Sequence, residues 1–417
     1  MNPSFHIIDF VIVGIYAILL VGVGLWVSRT KKGHTKTAED YFLASKALPW
    51  WAIGSSLIAA NISAEQFIGM SGSGFAGGLA IASYEFMAAL TLIIVGKFFL
   101  PIFIKQGIYT IPEFVEKRFS TNLKTILAVF WIALFVFVNL TSVLFLGGKA
   151  IDTIVGVGDG SMIVPAIIAL AIFAAAYSLY GGLSAVAWTD VIQVALLVIG
   201  GIITTLIALH YVTPDGGILN GISHIADAAS DKFDMVLSRD NKEFNNLPGI
   251  YVLIGGLWVA NLYYWGFNQY IIQRTLAAKS LTEAQRGIAF AAFLKMLIPF
   301  IVVIPGIVAW VMYSEDLYGA RSAFEIAGST ALNNDNAYPW LISTFIPVGV
   351  KGLVLAALAA AIVSSLASML NSTSTIFTMD IYKPYINREA SQTKLVNVGR
   401  LTAGIALIIA VCLAPLL

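Results

Sequence analysis

The stretch Ala59-Ala60-Asn61-Ile62-Ser63-Ala64-Glu65-Gln66 sits inside an apolar segment, 49–72, and is followed by glycines at 69, 72, 74, 77 and 78. Asn, Ser and Gly all lower helix propensity, so their concentration here predicts a helix that breaks near its middle. A break releases backbone carbonyls and amides from the i→i−4 ladder. Within a bilayer such groups are tolerable only where protein or a water-filled cavity satisfies them. Small residues easing helix–helix contact are the competing reading of the same letters.

The rest of the chain makes lipid the relevant solvent. Of 417 residues, 59% are hydrophobic and 11% charged, and the mean hydropathy is +0.86. An average soluble domain carries roughly 25% charged residues. The net charge of +1 argues against a nucleic-acid partner, which calls for a basic face. With Cys412 as the only cysteine there is no intrachain disulfide, and four scattered histidines do not make a zinc site. The first apolar run is too long for a signal-peptide core and is preceded by Asp9 rather than a basic cluster. It reads as a retained transmembrane helix.

A membrane helix needs about 20 mostly apolar residues. By that ruler the chain offers ten spans, 7–28, 49–72, 79–104, 124–148, 162–180, 184–210, 249–272, 287–313, 349–378 and 397–417. If the N-terminus lies outside, the inner loops collect Arg29, Lys31, Lys32, Lys36 and Lys46, then Lys105, Lys117, Arg118 and Lys124. The later ones add Arg274, Lys279 and Arg286, then Lys383, Arg388, Lys394 and Arg400. That bias obeys the positive-inside rule and predicts a multi-pass membrane protein with its N-terminus outside. The outer loop 211–248 separates a five-span block, 49–210, from a second block, 249–417, that enters the membrane from the opposite side. Paired blocks of opposite entry are the trace of an inverted-repeat transporter, a single transmembrane domain preceded by the extra helix 7–28. The second block holds four spans against five.

Polar residues at membrane depth mark functional sites by default. Glu85 and Tyr84 lie a few residues into the third span, close enough to its end that a headgroup position is the plain alternative. Asn261, Tyr264, Trp265 and Asn268 recur at i, i+3, i+4 and i+7, predicting one helical face. Lys295 falls about nine residues from the inner end of its span, which favours a cavity, with Glu85 as candidate counter-charge, over the alternative of a lysine snorkelling to the interface. Ser364, Ser365, Ser368, Asn371, Ser372 and Thr375 form a stripe, either a packing seam or a set of neutral oxygens suited to a hard monovalent cation. No phosphate-cradling loop, metal-spaced histidine pair or G-x-S-x-G is present, so the chain is expected not to be an enzyme.

Tyr180-Gly181-Gly182-Leu183-Ser184-Ala185-Val186, with Trp188-Thr189-Asp190 and Gln193, resembles the signature of the sodium:solute symporters. The segments 59–67, Asn268-Gln269 through Gln273-Arg274, and Ala361-Ile362-Val363-Ser364-Ser365 are similar as well, over essentially the whole chain, nearest to the galactose-transporting bacterial members. The resemblance implies a LeuT-like all-α bundle of two inverted five-helix repeats. It implies that Gln66, Glu85, Asn261 and Lys295 hydrogen-bond a sugar, that Tyr264 stacks on it as an inner gate, and that Met70 and Trp265 help wall the pocket. Sodium would be held by carbonyls of Ala59, Ile62 and Ala361 with hydroxyls of Ser364 and Ser365. Asn61 would link gate to sodium, and Asp190 would lie on the sodium exit route.

Two departures accompany the resemblance. The galactose-transporting members carry serine where this chain has Ala88, which removes one sugar contact. The last core helix has no counterpart, so the chain reads as a piece of a longer symporter that would not transport alone. The expected activity is sodium-driven symport of a hexose such as galactose or glucose. The alternatives are symport of another neutral solute such as myo-inositol, a passive channel, and, more distantly, a membrane transferase.

Overall fold

The computed structural model describes residues 5–29, 34–63, 65–156, 160–326, 329 and 331–417. Ala64 of the interrupted stretch and Lys31 and Lys32 of the first basic loop lie outside the described residues, as does the Glu65 side chain. The elements used below are α1 (Ile7–Val27), α2 (Trp50–Asn61), α3 (Ser71–Gly77), α4 (Ser83–Ile94), α5 (Thr121–Val155), α6 (Ile163–Gly181), α7 (Leu183–Tyr211), α8 (Ile218–Ala228), α9 (Leu257–Leu262), α10 (Gln269–Leu276), α11 (Leu281–Ser314), α12 (Val350–Ile386) and α13 (Gln392–Leu416). Among the described residues the sheet content is limited to two isolated bridges, so the fold is all-α.

The break forecast from Asn61 to Gln66 is present. α2 stops at Asn61, Ile62 is extended (φ −81°, ψ 121°), and the chain re-enters helix as a π-turn, Glu65–Met70, before α3. Gly54 lies against Gly287 and Phe290, and Gly74 against Val303, so α2 and α3 run alongside α11 in the same direction. α4 pairs Glu85 with Lys295 and sets the Gly96 carbonyl against Gln285, so it runs the opposite way. The reversal falls at Gly78, whose φ is +75° and whose Cβ position would be 2.2 Å from the Lys232 carbonyl oxygen. Only glycine meets both conditions without strain.

Eight helices among the described residues are long and apolar enough to cross a membrane, with a ninth if the segments on either side of a 72° bend, 242–254 and 257–267, form one span. The run Gln66–Gln106 contains the reversal at Gly78 and so holds two passes. With α2–α3 taken as one broken pass, the ten expected passes are accounted for.

The seventh span differs from expectation. Its four polar residues do not share one continuous helix: α9 continues as a π-turn, Tyr263–Phe267, and Asn268 is extended and accepts a hydrogen bond from the Tyr270 amide as the N-cap of α10. Asn and Asp side chains are favoured at N-caps because they satisfy orphan amides, so Asn268 serves the backbone. The loop 211–248 also carries structure, α8 and short 3₁₀ turns, and Lys232 donates to the Ala76 carbonyl at the end of α3.

The basic loops meet on one face. Leu48 exchanges backbone hydrogen bonds with Ala277 and Lys279, the Trp50 amide donates to Glu283, and Ile111 donates to Gln269. Lys124 pairs with Glu116 there (2.7 Å), and hydrogen bonding to that lysine holds the Glu116 carboxyl below its usual range. At the opposite face Asp9 accepts from the amides of Gly349 and Gly352, which docks the extra helix α1 onto α12.

Candidate substrate and cation sites

α12 is the buried axis of the bundle, and 94% of its most apolar window is buried. Its serine stripe therefore faces protein, and the polar partners it meets define the first site. Ser365 Oγ lies 3.1 Å from the Ala60 carbonyl and 3.2 Å from the Ile62 carbonyl, the oxygens released where α2 ends. Ala59 and Ala361 are buried beside them. Backbone carbonyls and a hydroxyl are hard neutral oxygens, the donor class that suits sodium as cargo. Ser364 points its hydroxyl elsewhere, donating to Asp190 Oδ1 at 2.5 Å.

Asp190 is fully buried, and it anchors a node joining four elements. Besides Ser364 of α12 it accepts from Ser56 of α2, and Arg274 of α10 stands 3.8 Å away. Arg274, itself fully buried, donates to Ser56, to the Tyr270 carbonyl and to Ser368. Each nitrogen of that guanidinium thus faces an oxygen, the condition under which a buried charge is tolerated. One residue further back, Gln273 bonds Thr375, Ser372 and the Phe42 carbonyl. The serine stripe is a packing seam and a polar site at once.

A second site lies beside the break. A cavity of about 310 Å³ is lined by Asn61, Gln66, Tyr84, Glu85, Ala88, Leu257, Ala260, Asn261, Tyr263, Tyr264, Trp265 and Lys295. Six of the seven residues expected to hold a sugar line it; Met70 does not, being half-buried against the core beside it. Lys295 Nζ donates to Glu85 Oε2 at 2.5 Å, with 1% and 3% of the two residues exposed. That pairing decides against a headgroup position for Glu85. The same ammonium sits 5.3 Å from the Trp265 ring centroid, a cation–π contact that fixes the indole. A charged donor, a charged acceptor, three amides and an aromatic floor converge on one volume.

Tyr264 separates this cavity from another of about 260 Å³, lined by Ala60, Asn61, Ser63, Gln66, Asn139, Ser142, Tyr264, Tyr270, Ser365 and Met369. Asn61 Nδ2 donates to the Tyr264 hydroxyl at 3.0 Å, and that hydroxyl lies 2.7 Å from the Tyr270 hydroxyl. Asn61, Gln66 and Tyr264 form the shared wall, and Ser365 lines the second chamber. The sequence reading missed Asn139 and Ser142 of α5. Asn139 carried a usable signal, as an amide in the middle of an apolar span.

A family model described as sodium:solute symporter family matches residues 41–416. The sodium/glucose cotransporter of Vibrio parahaemolyticus is 65% identical over 413 residues, covering 98% of this chain and 75% of that protein. The human sodium/myo-inositol cotransporter is 33% identical over 434 residues, and this chain spans 59% of its length. A solved structure of a sodium-coupled sialic acid symporter, substrate-bound and outward-open, superposes with a TM-score of 0.85 at 26% identity, covering 99% of this chain and 83% of that one.

Proposed function

The chain belongs to the sodium:solute symporter family, and from that premise we propose that it couples the downhill entry of sodium to uptake of a hexose, glucose or galactose, by alternating access. The observation that carries the proposal is the pair of chambers divided by Tyr264, one with the donor set of a sugar site and the other reaching the candidate sodium oxygens. A hexose offers many hydroxyls and one apolar ring face. Lys295, Glu85, Gln66 and Asn261 supply donors and acceptors for the first, and Tyr264 a ring for the second. Sodium between Ser365 and the carbonyls of Ala60 and Ile62 would fix the end of α2 and with it Asn61. Asn61 holds the Tyr264 hydroxyl. Each ligand then biases one shared two-state element, which is what coupling requires. Asp190, held by Ser364 of α12 and Ser56 of α2, would serve as a way station for sodium leaving Ser365.

The blocks 49–210 and 249–417 are the halves that would rock against each other, with the basic loops inside and α1 starting outside. The sodium/myo-inositol relatives suggest a second reading, a cyclic polyol as substrate, and Ala88 on the cavity wall supports it by removing a hydroxyl next to Glu85. Reconstitution into liposomes of the longer symporter expected to contain this sequence separates the readings. Sodium-dependent counterflow of labelled glucose or galactose, not competed by myo-inositol, is the expected result. Preferential competition by myo-inositol would make the polyol the substrate, and sodium-independent, non-concentrative flux would make the protein a channel.

A further inference from the structure

On the basic face, away from both chambers, a cavity of about 340 Å³ opens between the inner ends of α1 and α7. Val27, Ser28, Arg29, His34, Lys36, Asp40, Ser45 and Ser184 line it. Lys36 Nζ donates to the carbonyls of Tyr180 (3.4 Å) and Gly181 (3.1 Å), and Arg400 of α13 donates to the same Tyr180 carbonyl (3.1 Å). Both cations lie within 5.6 Å of the Tyr41 and Tyr180 ring centroids. Two like charges are thus held together on one carbonyl.

Their compensation is weak, coming only from Asp40 at a distance. Among the described residues no carboxylate lies within ion-pair distance of Arg29, Lys36 or Arg400, and the Arg400 Nε is buried without a hydrogen-bond partner. Asp40, the one acid on the cavity wall, is engaged by Ser45 (2.6 Å), the Thr37 amide (2.9 Å) and His34 (2.7 Å). Burial, and then the neighbouring Arg400, push the Lys36 ammonium down to about 8. An anion arriving here would relieve both penalties.

We propose that this cavity binds the phosphate of an anionic membrane lipid through Arg29 and Lys36 on its wall, with Arg400 reaching in from the Tyr180 carbonyl that it shares with Lys36. The lipid is preferred over a soluble phosphate because the cavity opens at the membrane edge. Trp26 beside it is 68% exposed and Tyr180 46%, the placing of interfacial aromatics. Above them Ile15, Ile18 and Leu19 of α1 present an apolar strip along which acyl chains can lie. Basic pockets between membrane helices on the positively charged side take anionic headgroups in this way. The site clamps α1 to the Tyr180-Gly181-Gly182 turn, where Gly182 has φ +67° and no room for a Cβ beside the Tyr41 carbonyl.

The test measures phosphatidylglycerol and phosphatidylcholine binding to the purified protein in detergent, by native mass spectrometry, with inorganic phosphate as competitor. The wild type should favour phosphatidylglycerol by at least about five-fold. The triple change Arg29→Gln, Lys36→Gln and Arg400→Gln should abolish that preference, each cation contributing up to about five-fold. Lys105→Gln with Lys394→Gln, on the same face but outside the site, should leave it unchanged. The wild-type preference should also fall as pH rises past about 8, where Lys36 loses its proton, a readout that does not depend on the variants folding. Equal binding of the two lipids, loss with the control pair, a preference flat from about pH 7 to 10, or displacement by millimolar inorganic phosphate would each overturn the assignment.

Discussion

Lys295 and Glu85 are a buried ion pair, and such pairs have a structural and a functional side that single substitutions confuse. Removing one partner leaves the other charge uncompensated, at a cost of about 3–5 kcal/mol. Lys295→Ala alone should therefore lose both sugar binding and thermal stability. The double change Lys295→Met with Glu85→Gln restores a neutral pair of similar volume, so it should regain much of the stability while sugar binding stays at least about ten-fold weaker. Thermal melts and labelled-sugar binding on the two proteins check this, and recovery of binding in the double variant would reduce the pair to scaffold. At Tyr264 ring and hydroxyl have separable jobs. Tyr264→Phe keeps the partition between the chambers and loses the bonds to Asn61 and Tyr270, so sugar binding should persist while its dependence on sodium weakens. Tyr264→Ala removes the partition itself and should lose uptake as well. Wild-type sodium dependence in Tyr264→Phe would deny the hydroxyl a role, and equal loss in the two variants would deny the ring a separate one.

Elements meet at Asp190, where α2, α7, α10 and α12 share one carboxylate and one guanidinium. Arg274→Ala strands a fully buried Asp190 and four other oxygens, so the purified protein should melt earlier, by about 3–5 kcal/mol of destabilisation. Arg274→Lys should recover only part of it, since one ammonium cannot replace a fork that spans Ser56, Tyr270 and Ser368. Full recovery by lysine would mean that charge alone matters. The same physics explains why some elements are legible in the sequence and others are not. The break after Asn61 can be read because several weak helix formers accumulate there, and the depth of Lys295 announces a counter-charge that Glu85 supplies. Asn268 is misplaced by periodicity, which assumes an unbroken helix, whereas the π-turn Tyr263–Phe267 re-aims the residues beyond it. Ser364 looks equivalent to Ser365, yet a half-step of helix rotation gives it to Asp190, and only the packing of α7 on α12 shows that. The residues carried over by resemblance, such as Gln66 and Asn261, have no claim from position alone. The cavity brings them together.

For the molecule as a whole, the charge bias and the tertiary contacts agree on which loops lie together: those carrying Lys46, Lys117, Lys279 and Lys383 on one face, and Asp9, Glu243 and Glu315 on the other. The sides of the membrane can be assigned by labelling. With Cys412→Ser as background, a cysteine introduced by Lys279→Cys should react with an impermeant maleimide only from the cytoplasmic side, and one from Glu243→Cys only from outside. The reverse pattern would invert the proposed orientation. The claim on which the rest depends is that sodium and sugar address one element, the broken helix α2–α3 with Tyr264 tied to it. Equilibrium binding of labelled hexose with and without sodium, in the wild type and in Ser365→Ala, tests it most directly. Sodium should tighten sugar binding by about ten-fold or more in the wild type, sugar should tighten sodium binding by the same factor, and Ser365→Ala should remove both effects while sodium-free sugar binding remains. Sugar affinity indifferent to sodium in the wild type, or full sodium dependence in Ser365→Ala, would contradict it.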